Sequence, residues 1–111
     1  MNTSILGTSI TSHRNINIGL AVAVENGLMV PSMANCEEKN FLGLCRSVND
    51  VAKRTRGSTI SADELSVSTF SITNFGVFGV SIGTPIINQP NVGILGIGAI
   101  KKQPIVVEST E

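Results

Sequence analysis

Polar, turn-rich stretches alternate along this chain with short apolar runs of two different periods. Residues 2–13 are rich in Ser, Thr and Asn with Gly7 among them, which predicts an irregular or edge segment. From Ile16 to Val24 apolar side chains dominate around Gly19; Glu25-Asn26-Gly27 follows, and Leu28-Met29-Val30-Pro31 resumes the apolar pattern. Asn-Gly supports the positive φ of a tight turn, so this stretch predicts a β-hairpin. Pro31 has no amide to donate and is expected to end the second strand or to lie on an edge.

Between Glu37 and Arg56 the period changes. Phe41, Leu44, Cys45, Val48, Val51, Ala52 and Thr55 recur at three- and four-residue steps, which predicts one amphipathic helix. Glu37 and Glu38 near its start and Lys53, Arg54 and Arg56 at its end suit the helix macrodipole, and Gly57 is the expected stop. Ser61-Ala62-Asp63-Glu64 fits a capping box, in which the Ser61 hydroxyl and the Glu64 carboxylate satisfy free amides of a short helical turn anchored by Leu65. Val67 to Thr73 is β-branched and aromatic and predicts a strand ending at Asn74. Phe75-Gly76-Val77-Phe78-Gly79 reads as a glycine-bearing loop, and Pro85, Asn88 and Pro90 keep the backbone irregular. Val92 to Ile100 is an apolar run of strand length in which Gly93, Gly96 and Gly98 suggest close backbone approach. After a turn at Lys101–Pro104, Ile105 to Val107 is expected to form a last strand.

One helix among several strands predicts an α/β (α+β) sandwich, a sheet with a covering helix on one face. The near-continuous apolar character of Ile18–Val24 and Val92–Ile100 fits central strands buried on both faces, so the second face is expected to need a cover from outside these residues.

Charge removes several function classes. Eight basic residues balance eight acidic ones, and no basic cluster exceeds Lys53-Arg54 or Lys101-Lys102, which disfavours nucleic acid as a partner. The charged fraction of 14% is low, implying that much of the surface faces protein. The apolar runs are too short to span a bilayer and the N-terminus has no secretory pattern, so the expectation is no membrane partner and a cytoplasmic setting. Cys36 and Cys45 lack C-x-x-C spacing and there is one histidine, so no metal site is expected and both thiols are read as reduced.

Two blocks carry a resemblance. Asn15-Ile16-Asn17-Ile18-Gly19-Leu20-Ala21-Val22-Ala23, followed by Asn26-Gly27-Leu28-Met29-Val30-Pro31, resembles the NIGxAV…GLxVP hairpin of dihydrolipoyl acyltransferases. Thr69-Phe70-Ser71-Ile72-Thr73-Asn74-Phe75-Gly76-Val77-Phe78-Gly79 resembles that family's TFTI(S/T)NxGxFG signature. Gly83-Thr84-Pro85-Ile86-Ile87-Asn88-Gln89-Pro90 and the strand after it continue the match in order. Val67-Ser68 departs from the family's glycine pair, and Asn35-Cys36 is more polar than its usual wording.

The resemblance implies a chloramphenicol-acetyltransferase-like two-layer sandwich with a mixed sheet. It also implies an enzyme of a 2-oxo acid dehydrogenase complex that moves an acyl group between a dihydrolipoyl thioester and coenzyme A, substrates that here take the place of cofactors. A histidine would deprotonate the attacking thiol and a hydroxyl would stabilise the oxyanion; by resemblance that hydroxyl is Thr73, with Asn74 and Gly76 shaping the loop that receives the coenzyme. The implied partners are a homotrimer within a larger core, the lipoyl domain and the dehydrogenase components, in the cytoplasm or, in a eukaryote, the mitochondrial matrix. The family's H-R-x-x-D-G motif is expected downstream of Ile105, beyond Glu111. Residues 1–111 are therefore expected to be a partial catalytic domain, inactive alone, without the N-terminal part or the histidine motif.

Three plainer readings stand beside this one. Without the resemblance Thr73 is a β-branched residue at a strand end, and Gly76 and Gly79 are turn formers. His13-Arg14 lacks the Asp and Gly that the histidine motif needs and is read as surface. Gly93, Gly96 and Gly98 have the wrong order for a dinucleotide loop. The alternative function is a non-catalytic structural or assembly fragment of a complex core.

Overall fold

The computed structural model describes residues 1–108. In chain order its elements are β1 (Thr3–Leu6), β2 (Ser9–Ser12), β3 (Ile18–Leu20), β4 (Val22–Val24), β5 (Gly27–Met29), β6 (Ser32–Met33), α1 (Phe41–Arg56), β7 (Phe70–Asn74) and β8 (Ile94–Ile97). A four-stranded sheet runs β6-β3-β7-β8, with β3 antiparallel to β6 and parallel to β7, and β7 parallel to β8. Helix α1 packs against β4 and β6, where Val22, Met33 and Val51 are buried. This is the sheet with one covering helix that the pattern predicted, and its mixed strand directions are those the resemblance implied.

The first segment is more regular than expected. Thr3 to Leu6 pairs with Ser9 to Ser12 in a tight antiparallel ribbon, with Ile5 opposite Ile10 and Gly7 at φ 60° starting the turn. A Gly at the first central position suits a II′ hairpin, and the β-branched Thr and Ile outweigh the loop-forming Ser and Asn. The Ile16–Val24 run divides at Ala21. There Leu20 N–H donates to the Pro31 carbonyl (2.8 Å) and Ala21 N–H to the Ile72 carbonyl (2.9 Å), after which β4 leaves the sheet to pair with β5. The predicted hairpin forms, but Glu25-Asn26 makes the turn and Gly27, with its positive φ, opens β5.

The helix begins at Phe41, the first of its periodic apolar positions, and not at Glu37. Asn40 is its N-cap, accepting from Gly43 N–H at 2.8 Å, while Cys36–Glu38 forms a separate 3₁₀ turn. Glu37 therefore meets no helix terminus; its carboxylate accepts from Ile16 N–H (2.8 Å). At the other end Gly57 follows the last helical residue but has an ordinary φ of −83°, and the left-handed position belongs to Ser58 at φ 54°. Ser58 N–H donates to Thr55 O and Thr59 N–H to Arg54 O, the two bonds of a Schellman motif. The capping box is half formed: Glu64 accepts from Ser61 N–H, but the Ser61 hydroxyl donates to the same carboxylate instead of capping an amide.

Two expectations about the C-terminal part are corrected. Among the described residues β8 is an edge strand, not a central one, and Leu95 and Ile97 are exposed. Ile105 to Val107 forms no strand, because a strand needs a ladder partner and Ile105, Val106 and Val107 stand exposed against none. The close approach at the β8 glycines holds. A β-carbon built on Gly93 or Gly96 would lie 2.7 Å from the ring of Phe70 or Phe75, and one on Gly98 2.3 Å from the Ser81 carbonyl oxygen. No described helix is long and apolar enough to cross a membrane.

Candidate active site

Strand β7 carries hydroxyls at alternate positions, and most are committed to structure. Thr69, just before it, donates its hydroxyl to Asn17 O and accepts from Asn17 N–H, both at 3.1 Å. Ser71 is buried opposite Gly19 and Ile94 and accepts from the Asn91 amide at 2.6 Å; the same amide reaches Ser68 at 3.2 Å. Thr73, in register with Gly96, takes part in none of these bonds. Its half-buried side chain lines a cleft of about 350 Å³ with Leu20, Val22, Leu28, Val48 and Phe78 among the apolar walls and Arg56 as the charged residue.

Beyond Thr73 the chain turns sharply. Asn74 is exposed and its side-chain oxygen accepts from Gly76 N–H at 2.9 Å, an Asx-type turn that opens the 3₁₀ segment Gly76–Phe78. Gly79, at φ 78°, closes that segment. A β-carbon on Gly76 would lie 2.3 Å from the Gly98 carbonyl oxygen and 2.7 Å from Ala99 N, distances that no side chain tolerates. Phe75 N–H donates to Ile97 O (3.1 Å) and Ala99 N–H to Val80 O (2.8 Å), which docks the loop on the end of β8. Of the residues singled out from sequence, Thr73 and Asn74 line one cleft, and Gly76 holds the loop beside them against backbone.

His13 lies elsewhere. Its Nε2 is 2.8 Å from the Ser4 hydroxyl across the β1–β2 ribbon, and it lines a separate cleft with Arg14, Asn15 and Pro90. Cys36 and Cys45 are free thiols, and the described residues hold no cluster of three or more potential metal ligands.

One ion-pair network flanks the helix end. Arg54 donates through Nε to Asp50 (2.8 Å) and through both terminal nitrogens to Glu64 (2.9 and 2.7 Å). The Arg54 bonds first, then those from Ser61, push the Glu64 carboxyl down to about 2, and the bonds to Glu64 and then Asp50 raise Arg54 above its ordinary value. Sequence reasoning missed Asn91, Ser58 and the place of Arg56. The alternation of Thr69, Ser71 and Thr73 was a legible sign of one polar strand face, whereas Asn91 carries no such period.

A mixed sheet, one covering helix and a free hydroxyl at a strand end beside a docked glycine loop define an α/β domain of the chloramphenicol-acetyltransferase-like class. The chain belongs to the family of 2-oxoacid dehydrogenases acyltransferase (catalytic domain), whose sequence model matches residues 1–111. It is 43% identical over 105 residues to the dihydrolipoyllysine-residue acetyltransferase component of the acetoin cleaving system of Bacillus subtilis (strain 168), a match covering 95% of this chain and 26% of that protein. A crystal structure of the Azotobacter vinelandii dihydrolipoamide acetyltransferase, concerned with a serine, a histidine and an asparagine in its catalytic mechanism, superposes with a TM-score of 0.88 at 32% identity, over 95% of this chain and 44% of that one. The cubic core of the pyruvate dehydrogenase multienzyme complex matches equally, with TM-score 0.88, 32% identity and the same shares of 95% and 44%. The chain thus spans about a quarter of the curated relative's length and less than half of each solved chain.

Proposed function

We propose that this chain carries the hydroxyl-donor part of a dihydrolipoyllysine-residue acyltransferase site, which moves an acyl group between a dihydrolipoyl thioester and coenzyme A. The supporting observation is the division of labour on β7, where Ser71 and Thr69 are bound into the fold and Thr73 keeps its hydroxyl in an apolar-walled cleft. Such a donor acts on the oxygen that gains charge, the thioester carbonyl oxygen during thiol attack. Asn74 and Gly76 hold the loop that keeps Thr73 in place and borders the coenzyme. The base that accepts the thiol proton comes from outside residues 1–111, since His13 is engaged with Ser4 in another cleft.

A serine, a histidine and an asparagine are named in the catalytic mechanism of the Azotobacter vinelandii relative, which supports a site that combines a hydroxyl with a histidine. The proposed partners are a homotrimer inside a larger complex core, the lipoyl domain and the dehydrogenase components, in a cytoplasmic setting. The cubic core formed by a relative and the exposed apolar edge at β8 support assembly. That edge also favours the second reading, a non-catalytic assembly fragment.

Exchange of residues 1–111 for the matching segment of the Bacillus subtilis relative separates the two. The first reading expects acyl transfer by the hybrid, with Thr73→Ser active and Thr73→Ala lowering kcat by about a hundred- to a thousandfold at little-changed KM. Transfer by the Thr73→Ala hybrid at the unsubstituted rate rules that reading out.

A further inference from the structure

The cleft around Thr73 contains one charged side chain, Arg56, and among the described residues no carboxylate forms an ion pair with it. Arg56 is the last residue of α1 and is exposed. The cleft lining otherwise consists of apolar side chains with Thr73 and Asn74, and includes no Asp or Glu. A plain account would make Arg56 a cation complementing the helix C-terminus. Lys53 and Arg54 already supply that charge in the same turn, and Arg54 alone among the three is tied up by carboxylates, Asp50 and Glu64. In the neighbouring cleft of about 400 Å³ the cations Arg54 and Lys39 are met by three carboxylates, Asp50, Asp63 and Glu64. The Thr73 cleft has no carboxylate in its lining.

We propose that Arg56 is the anion-recognising residue of this cleft, selecting substrates whose reacting thioester or thiol is joined through an apolar segment to a carboxylate or phosphate. The inference rests on the reading of the Thr73 cleft as the thioester site. The planar guanidinium presents paired N–H donors that match either anion. Two sources supply that chemistry: the far carboxylate of a dicarboxylic acyl group, or the phosphates of coenzyme A. A neutral acyl chain on a phosphate-free thiol would fill the apolar walls and leave Arg56 unused.

Binding to the full-length hybrid that carries residues 1–111 tests this without requiring turnover. The probes are coenzyme A against pantetheine, and succinyl-pantetheine against acetyl-pantetheine, followed by the Thr73 amide shift and by calorimetry. The expected result is a preference for the charged member of at least one pair, weakened about tenfold by Arg56→Gln, partly restored by Arg56→Lys and eroded by salt, with the uncharged member unaffected. A preference confined to the first pair assigns the anion to coenzyme phosphate, and one confined to the second assigns it to the acyl carboxylate. If the uncharged probes shift Thr73 but Arg56→Gln leaves charged binding unchanged, or weakens charged and uncharged binding alike, the role of Arg56 is refuted and the cleft stands. If no probe shifts Thr73, the thioester reading of the cleft falls, and the role of Arg56 with it.

Discussion

The Asn91 side-chain amide donates to the Ser71 hydroxyl at 2.6 Å, in an interior where Ser71 is 1% and Asn91 6% exposed. That bond ties the loop ahead of β8 to the middle of β7, two positions before Thr73. Gly19 of β3 lies against the same hydroxyl, since a β-carbon there would be 3.0 Å from it. Strands β3 and β7 and the loop ahead of β8 thus meet on one polar contact, two residues before Thr73.

Removing Asn91 leaves buried Ser71 and half-buried Ser68 without their partner, and an unpaired buried polar group typically costs about 1–3 kcal/mol. Asn91→Ala is expected to lower stability by about 2 kcal/mol, read from the urea midpoint at constant slope. The Asn91→Ala, Ser71→Ala pair is expected to cost less than the sum of the singles, because both remove one bond. Strict additivity would mean that the contact carries no energy.

Gly76 gives a second prediction. Its missing β-carbon leaves room for the Gly98 carbonyl, and backbone atoms on both sides have little freedom to move. Gly76→Ala is expected to destabilise by about 3 kcal/mol, the upper end of ordinary overpacking. In the active hybrid it is also expected to lower kcat, because the Asn74 turn that follows Thr73 would shift. Unchanged unfolding of Gly76→Ala would contradict the close packing.

The elements that sequence disclosed are those whose signal is local. The period of Phe41 to Thr55 revealed α1, the turn at Asn26-Gly27 revealed the β4–β5 hairpin, and the β-branched run before Asn74 revealed β7. Thr73 was legible through a resemblance in the residues around it, not through its own chemistry. What stayed hidden was non-local. Whether Val92–Ile100 lies at the centre or the edge of a sheet depends on neighbours that composition does not encode, and an apolar run reads the same in either place. The division of the Ile16–Val24 run at Ala21 is set by a bond to Ile72, which lies far along the chain. Asn91 sits in a stretch that reads as a loop, and only the fold brings it to Ser71.

The helix terminus offers a case where local reasoning found the stop but not the left-handed residue. Gly57 looked like the stop, yet Ser58 occupies the left-handed position, where a β-carbon is strained. Ser58→Gly is expected to stabilise the chain by about 0.5–1 kcal/mol. Gly57→Ala is expected to be neutral or mildly stabilising, since its φ is ordinary and its nearest neighbour, the Lys53 carbonyl oxygen, would lie 3.4 Å away. Thermal unfolding of the two variants checks both signs, and a loss of stability in Ser58→Gly would overturn the assignment.

Acid should loosen the junction between α1 and the turn that follows it, and the direction is fixed by Glu64. Its carboxyl is held at about 2 against an ordinary 4.5, chiefly by the two bonds from Arg54 and further by Ser61. A depressed folded value means that the folded chain binds the proton less readily than the unfolded one. The stabilisation is therefore complete above pH 4.5, falls as the pH drops through the interval to about 2, and is absent below it. Arg54 stays charged throughout and adds no slope of its own. Both side chains are about a third exposed, so salt is expected to reduce the effect. Urea midpoints of the chain and of Glu64→Gln, taken from about pH 6 down to about pH 2, should differ at the upper end and converge at the lower. A gap between the two curves that does not change with pH would show that the loss in Glu64→Gln comes from packing and not from the ion pair with Arg54.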